Sequence, residues 1–336
     1  MEETRRILRR SVHAFLQDYQ AFASTAALLV FPVAASVLLS QVLAPHSSPL
    51  LEAIRARLGA LFVAAGFPAS SELFAYLNLK FSQTLFSFAL TFPFTLTFLV
   101  LAKAAAIQLA CGRGRRLGGP APPMSSLLRL YPPLLRTHLC NALVLLSANA
   151  SVFALLFVAF NATGLLGLTS DEAALCLSAA GAVVYSVVLA NALVACNMAV
   201  VISGVEGSGG LLPILKACLL VRGRAATALT LALPANLFMA TAEALFQLRV
   251  VKPYRAAGRW SPSVVWEGAT IAYIYSLIVV LDVVVSCMFF KSCKLQTCSS
   301  GWMLGSDRPS DIAGEKEEEN AAVTSAVIRL KLQELP

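Results

Sequence analysis

Six uninterrupted apolar runs, at 21–43, 84–109, 139–163, 173–201, 226–246 and 268–290, constrain this chain more than any other feature. Each is long enough to cross about 30 Å of hydrocarbon as a helix rising about 1.5 Å per residue. The runs are continuously apolar instead of alternating with period two, which favours helices over the strands of a membrane barrel. Composition agrees: 58% of the 336 residues are hydrophobic and 13% charged, half the usual charged share of a soluble domain. The expected fold is all-α, a polytopic membrane helix bundle of six transmembrane helices over residues 21–294. A cytosolic amphipathic helix (1–20) precedes it and a mostly disordered cytosolic tail (295–336) follows.

Orientation is read from Lys and Arg, which gather on the cytosolic side of membrane proteins. With the N-terminus inside, the inner segments hold 18 of the 26 basic residues, beginning with Arg5, Arg6, Arg9 and Arg10. The outer segments hold Arg55, Arg57, Lys80, Arg249, Lys252, Arg255 and Arg259, and Lys103 lies inside the second span. N-in and C-in is therefore the expectation, with the four basic residues of the last outer loop pulling against it. The first apolar run starts late and is longer than a signal-peptide core, so it reads as a signal anchor.

Three segments mix apolar anchors with basic residues just before odd-numbered spans: RRILRRSVHAFLQDYQ (5–20), MSSLLRLYPPLLRTHL (124–139) and LLPILKACLLVRGRA (211–225). The pattern predicts three cytosolic interfacial helices, each leading a transmembrane hairpin. An alignment of 22–36 with 224–238 pairs Pro32 with Pro234 and suggests a threefold internal repeat. The long 44–82 connection contains SPLLEAIRARLG, with Ser48 as cap and Pro49 at the first helical position, and predicts a helix on the outer face. TSDE (169–172) fits a capping box, and Pro262, Trp260 and Trp266 mark the start of the sixth helix.

Chemistry-bearing motifs are few. Three histidines, His13, His46 and His138, form no metal spacing, and there is neither an HExxH nor a phosphate loop. GVEGSGG (204–210) offers Ser208 no nearby base and reads as a flexible loop. No enzymatic activity, cofactor, metal or direct nucleic-acid binding is expected. CGRGRR (111–116) lies where anionic headgroups attract basic side chains, so anionic membrane lipids are the expected partners, with a protein partner at the tail. Cys111, Cys293 and Cys298 flank inner membrane boundaries and are candidate palmitoylation sites.

Asp282 interrupts YSLIVVLDVVVSCMFFKSCK (275–294). A central Asp costs about 2.5–3.5 kcal/mol on insertion, and the twelve Leu, Ile, Val and Phe between 271 and 290 return roughly 4–7, so the helix inserts. Asp282 and Ser286 each fall within about 20° of Tyr275 on a helix, a polar stripe that faces the bundle. Counted from Ala110 and Lys291, Lys103 and Asp282 lie at similar depths, which makes them a candidate intramembrane polar pair. The alternatives are that Lys103 snorkels to the interface while Asp282 is protonated and hydrogen-bonded to Tyr or Asn, and that Asp282 has a proton- or ion-coupling role.

Asp282 followed by CMFFKSCK, with YPPLLR before the third span and the arginine-rich leading segment, resembles a plant family of uncharacterised six-span membrane proteins. Some of its members are named for binding a polyadenylate-binding protein. The resemblance implies the six-span fold over most of 1–294 and brings no activity. The leading expectation is a structural or adaptor protein of an endomembrane or the plasma membrane. The competing one is a small-solute transporter or channel using Asn149, Tyr185, Asn191, Asn197, Asn236, Glu243, Asp282 and Lys103.

Overall fold

The computed structural model describes residues 2–43, 49–64, 72–111, 123–165, 171–258 and 261–299. Among these the chain is helical and contains no strand. The helices are α1 (Glu2–Gln17), α2 (Tyr19–Thr25), α3 (Phe31–Leu43), α4 (Pro49–Ala64), α5 (Glu72–Phe94), α6 (Val100–Cys111), α7 (Met124–Leu165), α8 (Asp171–Glu206), α9 (Leu211–Val221), α10 (Ala225–Phe246), α11 (Lys252–Ala257) and α12 (Pro262–Ser299). Single π-helical turns at Ala26–Val30, Thr95–Leu99 and Gln247–Val251 join α2 to α3, α5 to α6 and α10 to α11. Five helical stretches are long and apolar enough to cross a membrane: Tyr19–Val42, Leu85–Cys111, Ala179–Glu206, Ala225–Ala257 and Pro262–Lys294. The expected third span, 139–163, falls inside the 42-residue α7, where several side chains of the distal half lie outside the described ones. The chain is an all-α polytopic bundle, as its apolar runs require.

Each π turn has a proline two residues away: Pro32, Pro93 and Pro253. Proline removes an N–H and crowds the carbonyl of residue i−4; for Pro32 and Pro253 that carbonyl, of Leu28 and of Arg249, lies inside the wider turn, which relieves the clash. In hydrocarbon the carbonyls so freed need other donors. At Thr95–Leu99, which follows its proline, Thr97 Oγ1 donates to the Pro93 carbonyl at 2.7 Å and Tyr131 Oη donates to the Leu96 carbonyl at 3.2 Å. Pro234, aligned with Pro32 in the expected repeat, adjoins no π turn, so this local geometry is not repeated.

Of the three expected leading helices, α1 and α9 are separate elements. The segment 124–139 is not; it runs without a break into α7 through Pro132 and Pro133. The carbonyls that lose donors there belong to Leu128 and Arg129, both on the exposed side of the helix, where other donors can reach them. α4 begins at Pro49 as expected, and Asn78 of α5 donates to its Arg55 carbonyl at 3.3 Å. α12 begins at Pro262, with Ser261 Oγ accepting the Val264 N–H at 3.4 Å. The expected last outer loop is largely helix: Val250 and Val251 are buried against Ala34, Leu38 and Ile271, which carries the chain as helix to Ala257. Arg249, Lys252 and Arg255 are exposed on that extension. Ser48, Thr169 and Trp260 lie outside the described residues, as does the tail from 300.

Among the described residues two large apolar cores form, besides a small cluster where Leu51 of α4 meets Phe86 of α5. One packs α3, the α10–α11 stretch and the start of α12 around Leu38, Phe246 and Ile271. The larger packs α1, α2, α6, α7, α8, α9, the start of α10 and the distal part of α12. Within it α6 presents Ala102, Ala104, Ala105 and Ala106, small side chains that let neighbouring helices approach. α8 comes close to α6 at Gly204, where an added Cβ would stand 2.9 Å from Ile107.

GVEGSGG is therefore not a flexible loop but a fitted turn between α8 and α9. Gly207 ends α8 at φ 69°, its N–H on the Ser203 carbonyl at 2.9 Å. Gly209 lies against Pro133, and a Cβ there would meet the Pro133 backbone at 2.7 Å. Gly210 N–H donates to Thr137 Oγ1 at 3.1 Å, and Lys216 bridges back to Glu206 at 3.0 Å. Because the clash is with backbone, Gly209→Ala should destabilise the bundle by about 1–3 kcal/mol. A lowered thermal midpoint in detergent is the expected result; an unchanged one would mean that the turn does not pack on α7.

Candidate functional site

The polar side chains inside the larger core converge from four helices. α7 contributes Thr137, His138 and Asn141, α8 contributes Cys196, Asn197 and Ser203, α6 contributes Lys103, and α12 contributes Asp282 and Ser286. Thr137 and Ser203 are fully buried and share a hydrogen bond of 3.0 Å, with Thr137 Oγ1 the donor. Asn141 Nδ2 donates to the Cys196 carbonyl at 2.9 Å, while its Oδ1 is buried without a partner. None of Thr137, Asn141 and Ser203 stands out in the sequence, because a single hydroxyl or amide barely interrupts an apolar run.

Asp282 accepts a hydrogen bond from Asn197 Nδ2 on α8, at 3.3 Å to Oδ2. Two small cavities flank this contact, of about 20 and about 10 Å³, each with room for roughly one water molecule. Asn197, Asp282 and Ser286 line both. The larger is also lined by Ala228, Leu231 and Ala232 of α10, the smaller by Val200, Val201 and Lys103. Lys103 and Asp282 thus reach one cavity and lie close enough for their charges to interact, yet they form no direct ion pair within 4.0 Å. Charge neighbours of Lys103 include His138 on α7 and Cys196 on α8.

Depth is set by a contact at the end of the two helices. Lys291 Nζ donates to the Ala110 carbonyl at 2.7 Å, so a cation of α12 caps the C-terminus of α6. Counting back from that bond puts Lys103 and Asp282 at about 10 and 13 Å, as the sequence implied. The expected stripe divides, however. Ser286 joins Asp282 at the cavities, whereas Tyr275 donates to Glu243 Oε1 of α10 at 3.4 Å in the other half of the bundle. Other polar residues of the spans are satisfied within their own helices: Asn149 on Leu145, Asn191 on Val187 and Asn236 on Ala232.

The cysteines separate as well. Cys111 ends α6 half-buried, beside the Cys287 thiol of α12. Cys293 is 1% exposed inside the larger core, because α12 continues past Phe290, and its thiol is not presented for acylation. The side chain of Cys298 lies outside the described residues. Ser208 Oγ is buried without a hydrogen-bond partner, so no base activates it as a nucleophile. Among the described residues, no group of three or more His, Cys, Asp or Glu is placed to hold a metal ion.

Compared with known proteins, residues 4–297 match one family model, described as Domain of unknown function (DUF8558). No curated protein and no solved structure matches the chain.

The Asn197–Asp282 bond is measurable by a double-mutant cycle. Asn197→Ala and Asp282→Ala should each lower stability in detergent, and the double variant should lose less than their sum, with a coupling of about 0.6–1.7 kcal/mol. Strictly additive losses would show that the two side chains do not bond.

Proposed function

We propose, for a chain that belongs to the family Domain of unknown function (DUF8558), a non-enzymatic structural or adaptor role in a cellular membrane. Both termini lie on the cytosolic side, the basic face holds anionic lipid headgroups, and the tail at 295–336 recruits a protein partner. The chain is then a relative of the plant six-span proteins that its Asp282 and YPPLLR segments resemble. The observation that carries this reading is the division of labour on α1. Ile7, Ser11 and Phe15 are buried against the bundle, while Arg5, Arg6, Arg9 and Arg10 are exposed beside exposed Val12 and Leu16. A docked helix that shows arginines next to apolar side chains suits the headgroup boundary of an anionic leaflet. Arg129 and Arg136 of α7 are exposed as well.

A transporter is the second reading, and the meeting of Lys103, Asn197 and Asp282 favours it. Against it, the cavities at that point hold about one water each, where passage of a solute requires a continuous hydrated path. The test is native mass spectrometry of the full chain released from mixed phosphatidylserine and phosphatidylcholine nanodiscs, with ion and small-solute flux read in proteoliposomes of the same composition. Retention of the anionic lipid is expected, weakened about fivefold for each arginine of α1 changed to Gln, together with flux no greater than in empty vesicles. Equal retention of both lipids would reject the lipid-holding face, and solute flux would favour transport.

A further inference from the structure

Asp282 and Lys103 bring opposite charges to one cavity without touching. The carboxylate has one side-chain hydrogen bond, from a neutral amide at 3.3 Å, and the ammonium stands beyond 4.0 Å. A pair closed by direct contact would satisfy both charges, and an apolar pair would need no satisfying. This junction does neither. It leaves the Asp282 side chain lining two water-sized spaces, both of which Asn197 and Ser286 also line. A carboxyl so placed inside a membrane bundle is stable in two forms: ionised, answering Lys103 across the cavity, or protonated and neutral.

We propose that Asp282, Asn197, Ser286 and Lys103 form an intramembrane proton-binding site. The ligand is a proton delivered by hydronium in the larger cavity. One O–H bond of hydronium breaks, one forms on a carboxylate oxygen of Asp282, and a neutral water remains; release is the reverse. A metal cation fits less well, because Lys103 repels it and the cavity offers few oxygen ligands. The groups that face the site from each packed helix are few. α6 supplies Lys103, with His138 of α7 and Cys196 of α8 as its charge neighbours, and α10 supplies the apolar Ala228, Leu231 and Ala232. On α12 itself the next charge is Lys291, engaged on the Ala110 carbonyl. Protonation removes the attraction between α12 and α6 while leaving the Lys291 cap in place, so the site acts as a joint between the second and last spans.

The experiment is infrared difference spectroscopy of the full chain in nanodiscs, titrated from mildly alkaline to mildly acid buffer and read in the protonated-carboxyl region. The wild-type protein is expected to gain one band that Asp282→Asn lacks and that Asp282→Glu recovers at a shifted frequency. In Lys103→Met the band is expected at every pH, since no counter-charge remains for the ionised form. Circular dichroism checks that each variant keeps its helicity. Should Asp282→Asn fail to reconstitute, Asn197→Leu carries the same reading, because loss of the amide donor shifts the frequency of the Asp282 band. Identical difference spectra for wild type and Asp282→Asn, or a Lys103→Met protein that titrates as the wild type does, would overturn the proposal.

Discussion

Hydrocarbon does not hydrogen-bond, so every polar group that enters it must find its partner inside the protein, and the architecture of this chain follows from how that requirement is met. Most of it is met by continuous helices. The exceptions organise the rest: Asp282 turns α12 toward Asn197 of α8 and the Lys103 cavity, and Thr137 and Asn141 turn α7 toward α8. Apolar packing has no preferred partner among helices already surrounded by lipid tails. The polar contacts are what specify which helix faces which.

Close approach reinforces those choices. α6 meets its neighbours through consecutive alanines, Gly204 admits Ile107, and Gly209 admits the backbone of Pro133. The Pro-Pro step of α7 serves several contacts at once. Tyr131 donates to the Leu96 carbonyl in the π turn of the second span, Pro133 receives the α8–α9 turn, and Leu134 is 1% exposed in the core. YPPLLR is thus a packing element that joins the second span, α7 and the α8–α9 turn.

Long apolar runs are a global signal, and they made the fold class readable from the sequence; the helix periodicity around Asp282 likewise gave its facing toward the bundle. What the sequence hid depended on partners. Tyr275 shares a face with Asp282 but lies almost two turns away, in reach of Glu243 instead. The Pro-Pro pair looks like a helix boundary by local preference, yet its freed carbonyls face outward and packing carries the helix through. Cys293 looked like a membrane-edge thiol because hydropathy falls there, whereas the helix and its core continue to that point. The residue opposite Asp282 is an asparagine that any apolar run could carry, and no periodicity singles out Asn197 from Asn191 or Asn236.

If the Lys103–Asp282 cavity sets how the second and last spans meet, the sign of each charge matters only relative to the other. Exchanging them is therefore the most direct measurement. Lys103→Asp and Asp282→Lys should each reduce the yield of monodisperse, folded protein from membranes, and the double exchange should recover a substantial part of it. A double variant no better than the worse single one would contradict the account, and would place the specificity of this bundle in its apolar and small-residue contacts alone.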